Sequence, residues 1–126
     1  GVTVQGEKNI SDVEHCTLPI EKIWLDPQAT PNPKALEVIE KADMIIVGPG
    51  GLYYSLIPNF LVDGISDAVK ASKAKKIYIA NIKNQIDGFT PEDYAREMKK
   101  YIPLDVVLPA TVQKDSTTLA HAILTS

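Results

Sequence analysis

Residues 44–59 read MIIVGPGGLYYSLIPN, and the fold turns on how that stretch is parsed. Met44-Ile45-Ile46-Val47 is apolar at every position, so both faces of an extended segment would be covered, as in a parallel strand buried between two layers. Residues 43–47 are therefore expected to form a strand, and the most central one of its sheet. Gly48-Pro49-Gly50-Gly51 stops the strand at once. Three hydroxyls follow within three residues, on Tyr53, Tyr54 and Ser55, and then come Pro58 and Asn59.

Working outward, Lys76-Ile-Tyr-Ile-Ala80 is a second apolar strand closed by Asn81, and Asp105-Val-Val-Leu108 is a third. Helices are expected between them. Asn32-Pro33 offers an N-cap and a proline at the first helical position. Its helix should run to about Ala42, with Leu36 and Ile39 on the apolar face and Val38 at the margin. Residues 61–72 carry Ile65, Ala68 and Val69 at helical spacing. Thr90-Pro91-Glu92-Asp93 is a capping signal, predicting a helix to about Lys100 with Tyr94, Met98 and Tyr101 inward. Ser116 to Leu124 closes the chain as a last helix. Residues 2–5 and 20–25 alternate as strands do, and 6–19 reads as loop or irregular hairpin.

From residue 33 the order is α-β-α-β-α-β-α. Strands alternating with helices imply right-handed crossovers and a parallel sheet. The fold expected is α/β, a three-layer sandwich with a mainly parallel, Rossmann-like sheet, in which 43–47, 76–80 and 105–108 lie close together.

The chain has 126 residues and a net charge of −3, with acids and bases interspersed. That excludes nucleic acid and anionic lipid as main partners, since both reward dense Lys/Arg clusters. The one basic cluster, Lys73-Ala74-Lys75-Lys76, is placed to complement a helix C-terminus. A single cysteine, Cys16, precludes an internal disulfide, and no further His or Cys stands at ligand spacing from His15 and Cys16, so no metal site is expected. No run of about 18 apolar residues could span a membrane. Together these point to a cytoplasmic protein. The chain opens Gly1-Val-Thr-Val-Gln5 with no methionine, and is expected to be a piece of something longer.

Ligands of open α/β sheets bind beyond the carboxyl ends of the strands. Gly48, Gly50 and Gly51 stand at such an end. Without Cβ atoms their backbone is expected to adopt φ > 0 and to gather successive N–H groups around one anion. The candidate ligand-binding set is Gly48, Gly50, Gly51, Leu52, Tyr53, Ser55 and Asn59, with Asn81 and Gln85 reaching across from the neighbouring strand end. Within it Ser55 either touches the ligand or caps, and Asn59 holds the loop. The competing reading is a tight turn whose hydroxyls cap a helix. The pattern is neither a Walker loop nor a dinucleotide fingerprint, and its spacing names no ligand. Ser55 has no histidine expected near it, because His15 and His121 fall in segments away from that edge, so no catalytic residue can be named.

The stretch from Ala42 to Ile82, ADMIIVGPGGLYYSLIPNFLVDGISDAVKASKAKKIYIANI, resembles the CofD-like family. The family hallmark runs roughly GPGSLYTSIIPNLLVPGI, then SKAKKVYVCNLMTQPGETDGYT. Residues 48–50, 52–53, 55, 57–59, 61–62 and 64–65 match the first part. Ser72 to Lys76, Asn81, Gln85 and Asp87-Gly88 match the second. Gly51 replaces the hallmark serine, Tyr54 the threonine and Asp63 a proline. The family has two branches. One comprises gluconeogenesis factors, which bind UDP-sugars and support cell shape and wall synthesis on non-glycolytic carbon; SKAKKIYIANI and the DGFTPEDY segment are closer to this branch. The other comprises 2-phospho-L-lactate transferases of coenzyme F420 biosynthesis, which act on Fo with Mg²⁺. Family members open with a GGGTG-type loop that this chain lacks, so the resemblance implies that residues 1–126 are the C-terminal part of one CofD-like domain. It implies a UDP-sugar or other nucleotide as ligand, no cofactor held by this piece alone, and homo-oligomerisation left open. Isolated, the piece is expected to bind UDP-sugars weakly or not at all.

Overall fold

The structure, a computed structural model, describes residues 1–14, 20–81, 86 and 88–126. Three parallel strands, β1 (Met44–Val47), β2 (Lys75–Ile79) and β3 (Val106–Leu108), pair in the order β1-β2-β3. The register sets Ile46 opposite Ile77, and Tyr78 opposite both Val47 and Val107. Helix α1 (Glu7–Glu14) lies near the start, and α2 (Pro33–Lys41) leads into β1. The first crossover is a π-helix (Leu52–Leu56) running straight into α3 (Ile57–Phe60), followed by α4 (Ile65–Ala71). The second contains α5 (Pro91–Met98). After β3 a 3₁₀ turn (Ala110–Lys114) precedes α6 (Ser116–Thr125).

The middle strand β2 is covered on both faces. Successive strand residues point to opposite sides, and Ile77, Tyr78, Ile79 and Ala80 are all buried. Tyr78 and Ala80 join one cluster with Val47, Leu52, Ile57, Val69, Tyr94 and Met98. On the Ile77 side, Lys75 donates its Nζ to the Ser126 carbonyl, which brings the end of α6 to that face. Burying Ile77, Tyr78 and Ile79 contributes about 1.5–3 kcal/mol apiece relative to exposure.

The caps follow the sequence signals. Asn32 Oδ1 accepts from the Lys34 amide at 2.9 Å. Thr90 and Asp93 exchange bonds in a capping box, the Thr90 amide donating to Asp93 Oδ2 at 2.9 Å and the Asp93 amide to Thr90 Oγ1 at 3.3 Å. Asp115 Oδ1 accepts from the Thr118 amide at 2.8 Å to open α6. Lys76 donates its Nζ to the Ser72 carbonyl at the end of α4, so one member of the basic cluster does complement a helix C-terminus.

Four expectations are corrected. The central strand is β2, not β1: Ile46 is 46% exposed, and among the described residues no strand pairs with the other edge of β1. An apolar run carries no information about the hydrogen-bonding edges of a strand, and at this edge strand it leaves one face partly open at Ile46. Residues 2–5 and 20–25 are not strands, because an alternating run needs a neighbour to pair with. Val2 is instead exposed, and Ile20 and Ile23 pack as irregular chain against the core. The first part of 6–19 is helix rather than loop. Its Asn, Ser and Asp favour turns, but Ile10 packs on the core and α1 lies against the π-helix. Finally, Val38 points to solvent.

Candidate functional site

The glycine loop leaves β1 at the carboxyl edge of the sheet, beside the carboxyl end of β2. Gly48 is the residue with the left-handed backbone, at φ +86°. A Cβ placed on it would meet the Ile79 carbonyl oxygen at 2.7 Å and Tyr78 Cε2 at 3.7 Å. Gly48 is therefore glycine for two separate reasons, its backbone angle and the strand packed against it. The expectation of φ > 0 at Gly50 and Gly51 is not met. Neither lies in the left-handed region, and Gly51 has φ −59°. Their smallness serves packing: a Cβ on Gly50 would come within 3.0 Å of Leu56 Cδ2, and one on Gly51 would run into the Tyr54 ring.

From Gly51 the chain enters the π-helix, whose first turn is held by bonds from the Ser55 and Leu56 amides to the Gly51 carbonyl, at 3.0 and 2.9 Å. Among the described residues no acceptor is bonded to the Gly51 or Leu52 amides, the ordinary condition of the first donors of a helix. Short π-helical segments are rare and are found often at functional sites. Leu52 and Tyr53 are buried and anchor the turn in the core.

Asn81, one residue past the end of the apolar run of β2, donates Nδ2 to the Gly50 carbonyl at 2.8 Å. Loop and strand end are thus brought together as expected, with Asn81 acting on the loop backbone. Asn59 spends its amide within the turn, donating to the Ser55 carbonyl at 2.6 Å and the Leu56 carbonyl at 3.2 Å, rather than on a bond to the sheet. Gln85, like His15 and Cys16, lies outside the described residues. His121 sits on α6.

One residue at this edge was not read from the sequence. Gln113, in the 3₁₀ turn after β3, donates Nε2 to the Ala80 carbonyl and so ties the third strand end to the second. No motif marks it. The rule that pointed to the glycine loop, applied to the carboxyl end of β3, would have pointed to 109–114 as well. Beneath the loop, burial and the neighbouring Tyr94 push the Tyr78 phenol up to about 12, which keeps it neutral. Tyr94 in turn accepts from the Ile86 amide at 2.9 Å and meets Phe89 edge to face at 5.3 Å. Among the described residues no three His, Cys, Asp or Glu side chains gather as a metal site, and none of the described helices is long and apolar enough to cross a membrane.

Comparison with known proteins places this arrangement. Residues 1–124 match the family described as 2-phospho-L-lactate transferase CofD. The chain belongs to the CofD family. Among its relatives, a gluconeogenesis factor of Halalkalibacterium halodurans is 39% identical over 111 residues, covering 85% of this chain and 34% of that protein. A gluconeogenesis factor of Listeria monocytogenes is 36% identical over 105 residues, covering 76% and 33%. A crystal structure of protein BH3568 from Bacillus halodurans superposes with a TM-score of 0.73 at 38% identity, covering 84% of this chain and 35% of that one. A second crystal structure of BH3568, described as a member of the UPF0052 family, gives 0.72 at 32% identity, covering 94% and 46%. This CofD-family chain thus spans about a third of the length of the curated relatives it matches, and shares with BH3568 the α/β fold that carries the glycine loop.

Proposed function

We propose that this chain supplies the glycine-loop half of a nucleotide-sugar site in a protein of the gluconeogenesis-factor type, serving cell shape and wall synthesis on gluconeogenic carbon. The observation that carries the reading is the loop itself. It leaves the carboxyl end of a parallel strand, is bolted by Asn81 to the end of the next strand, and delivers the Gly51 and Leu52 amides at the start of a helical turn. Amides so placed, with the helix dipole behind them, suit an incoming phosphate. Asn81 and Asn59 hold the backbone that presents those amides, Leu52 and Tyr53 anchor it from below, and Ser55 stands one turn on. The alternative function, phospholactyl transfer with Mg²⁺, needs carboxylates to hold the metal. The described residues gather no such set, and that reading places the carboxylates in the part of the protein outside this chain.

The test is the affinity for UDP-glucose of the full-length protein carrying Gly50→Val. Gly50 has an ordinary backbone angle and its nearest neighbour is the flexible end of Leu56, so the variant should fold while its branched side chain crowds the cradle. Binding should weaken about tenfold or more, equivalent to ~1.4 kcal/mol. A folded variant that binds as tightly as the unaltered full-length protein would reduce the loop to a turn.

A further inference from the structure

Strand β3 is an edge strand: among the described residues nothing pairs with the side turned away from β2. The Leu108 carbonyl accepts from the Ala80 amide at 3.0 Å and so faces β2. Backbone groups alternate in direction along a strand, so the N–H and C=O of Val107 face outward. Tyr78, paired with Val107 on β2, is buried, whereas Val107 is 36% exposed. Beside it a groove of about 460 Å³ runs between β3 and α5, lined by Ala95, Val107 and Pro109. Glu92, in the first turn of α5, and Lys99, at its C-cap, stand over the same groove. Among the described residues neither of these charges has an ion-pair partner, whereas Arg96 between them is paired with Asp93.

An occupant of this groove must offer Val107 an extended edge and meet two charges of opposite sign, one at each end. A peptide carrying charge of one sign would leave one of them facing its like. A second copy of β3 and α5 meets all of these demands. A two-fold axis at Val107 sets β3 antiparallel to its copy, and the two Val107 residues then exchange both backbone bonds. The same axis sets α5 antiparallel to its copy, which brings the end carrying Glu92 beside the end carrying Lys99, twice per dimer. In this register Pro109 falls opposite Asp105, and having no N–H it ends the ladder there. A short strand closed by proline recruits other strands poorly, so the groove and its charges select the partner. We propose that this face is a two-fold interface between copies of the protein, formed by β3 against β3 and by Glu92 and Lys99 paired across it.

Sedimentation velocity of the full-length protein tests the interface. Glu92 and Lys99 are exposed, so Glu92→Lys and Lys99→Glu should leave the fold intact, which circular dichroism checks. Each reversal sets like charges against each other at both ends of the groove, and should raise the dimer dissociation constant about tenfold or more. An equimolar mixture of the two variants restores opposite charges at both contacts and should dimerise like the unaltered protein. The Val107 amide should exchange more slowly with solvent as the protein concentration rises. A dimer indifferent to both reversals would place the contact on another surface and overturn the proposal. Losses that the mixture does not repair would overturn the pairing of Glu92 with Lys99. A protein still monomeric at about 100 µM would overturn the interface, and a Val107 amide protected in that monomer would show the edge covered by the rest of its own chain.

Discussion

Replacing Gly48 by alanine should cost much more than replacing Gly64, although both have nearly the same backbone. Gly48 lies at φ +86° and Gly64 at φ +78°, and a left-handed angle costs a residue with a Cβ about 1–2 kcal/mol. The added methyl at 64 has open space. The one at 48 falls 2.7 Å from the Ile79 carbonyl oxygen, a backbone atom that cannot swing aside, and such overpacking costs a further ~1–3 kcal/mol. Loss of glycine's freedom in the unfolded chain returns roughly 0.4–1 kcal/mol in both variants. Gly64→Ala should therefore destabilise by about 1 kcal/mol or less, and Gly48→Ala by about 2–4 kcal/mol. Urea unfolding of the two variants and the parent measures the difference, with an unchanged denaturant slope confirming that the effect is on stability. Equal losses at the two positions would refute the contact between the loop and the end of β2, and with it the placing of the loop against that strand.

Asn81→Ala removes the bond to the Gly50 carbonyl and should cost ~1 kcal/mol of stability, with faster amide exchange concentrated at Ser55 and Leu56, which bond the Gly51 carbonyl; unchanged exchange there would mean the bond does not hold the loop. Tyr78 ionises near 12 in the fold against 10.0 ordinarily. Its contribution to stability is thus full below pH 10 and lost as the pH rises from 10 through about 12. Urea midpoints followed across that range should fall less steeply in Tyr78→Phe than in the parent, and parallel curves would contradict the burial argument.

Much of the fold was legible because its signals are local. Asn32-Pro33 and Thr90-Pro91 mark helix starts through bonds made within three residues, and Lys76 to Ala80 announces a two-faced strand by apolarity alone. What stayed illegible depends on distant partners. The rank of β1 in the sheet is set by who pairs with its edges, and the helix at Glu7–Glu14 by the packing of Ile10 on a core formed later in the chain. At the site, composition marked the glycine loop but could not say which of its three glycines needed φ > 0. That was Gly48, because there the chain turns directly against β2. Tyr54 and Gly51 look unrelated in a string, and only the turn of a π-helix lays one on the other.

The most direct test of the central claim is to map which amides respond to UDP-glucose in the full-length protein. A nucleotide phosphate seated in the glycine loop should shift the amides of Gly50 to Tyr53 together with Asn81, and the response should weaken about tenfold or more in Gly50→Val. A silent loop, or shifts confined to other parts of the surface, would contradict the assignment.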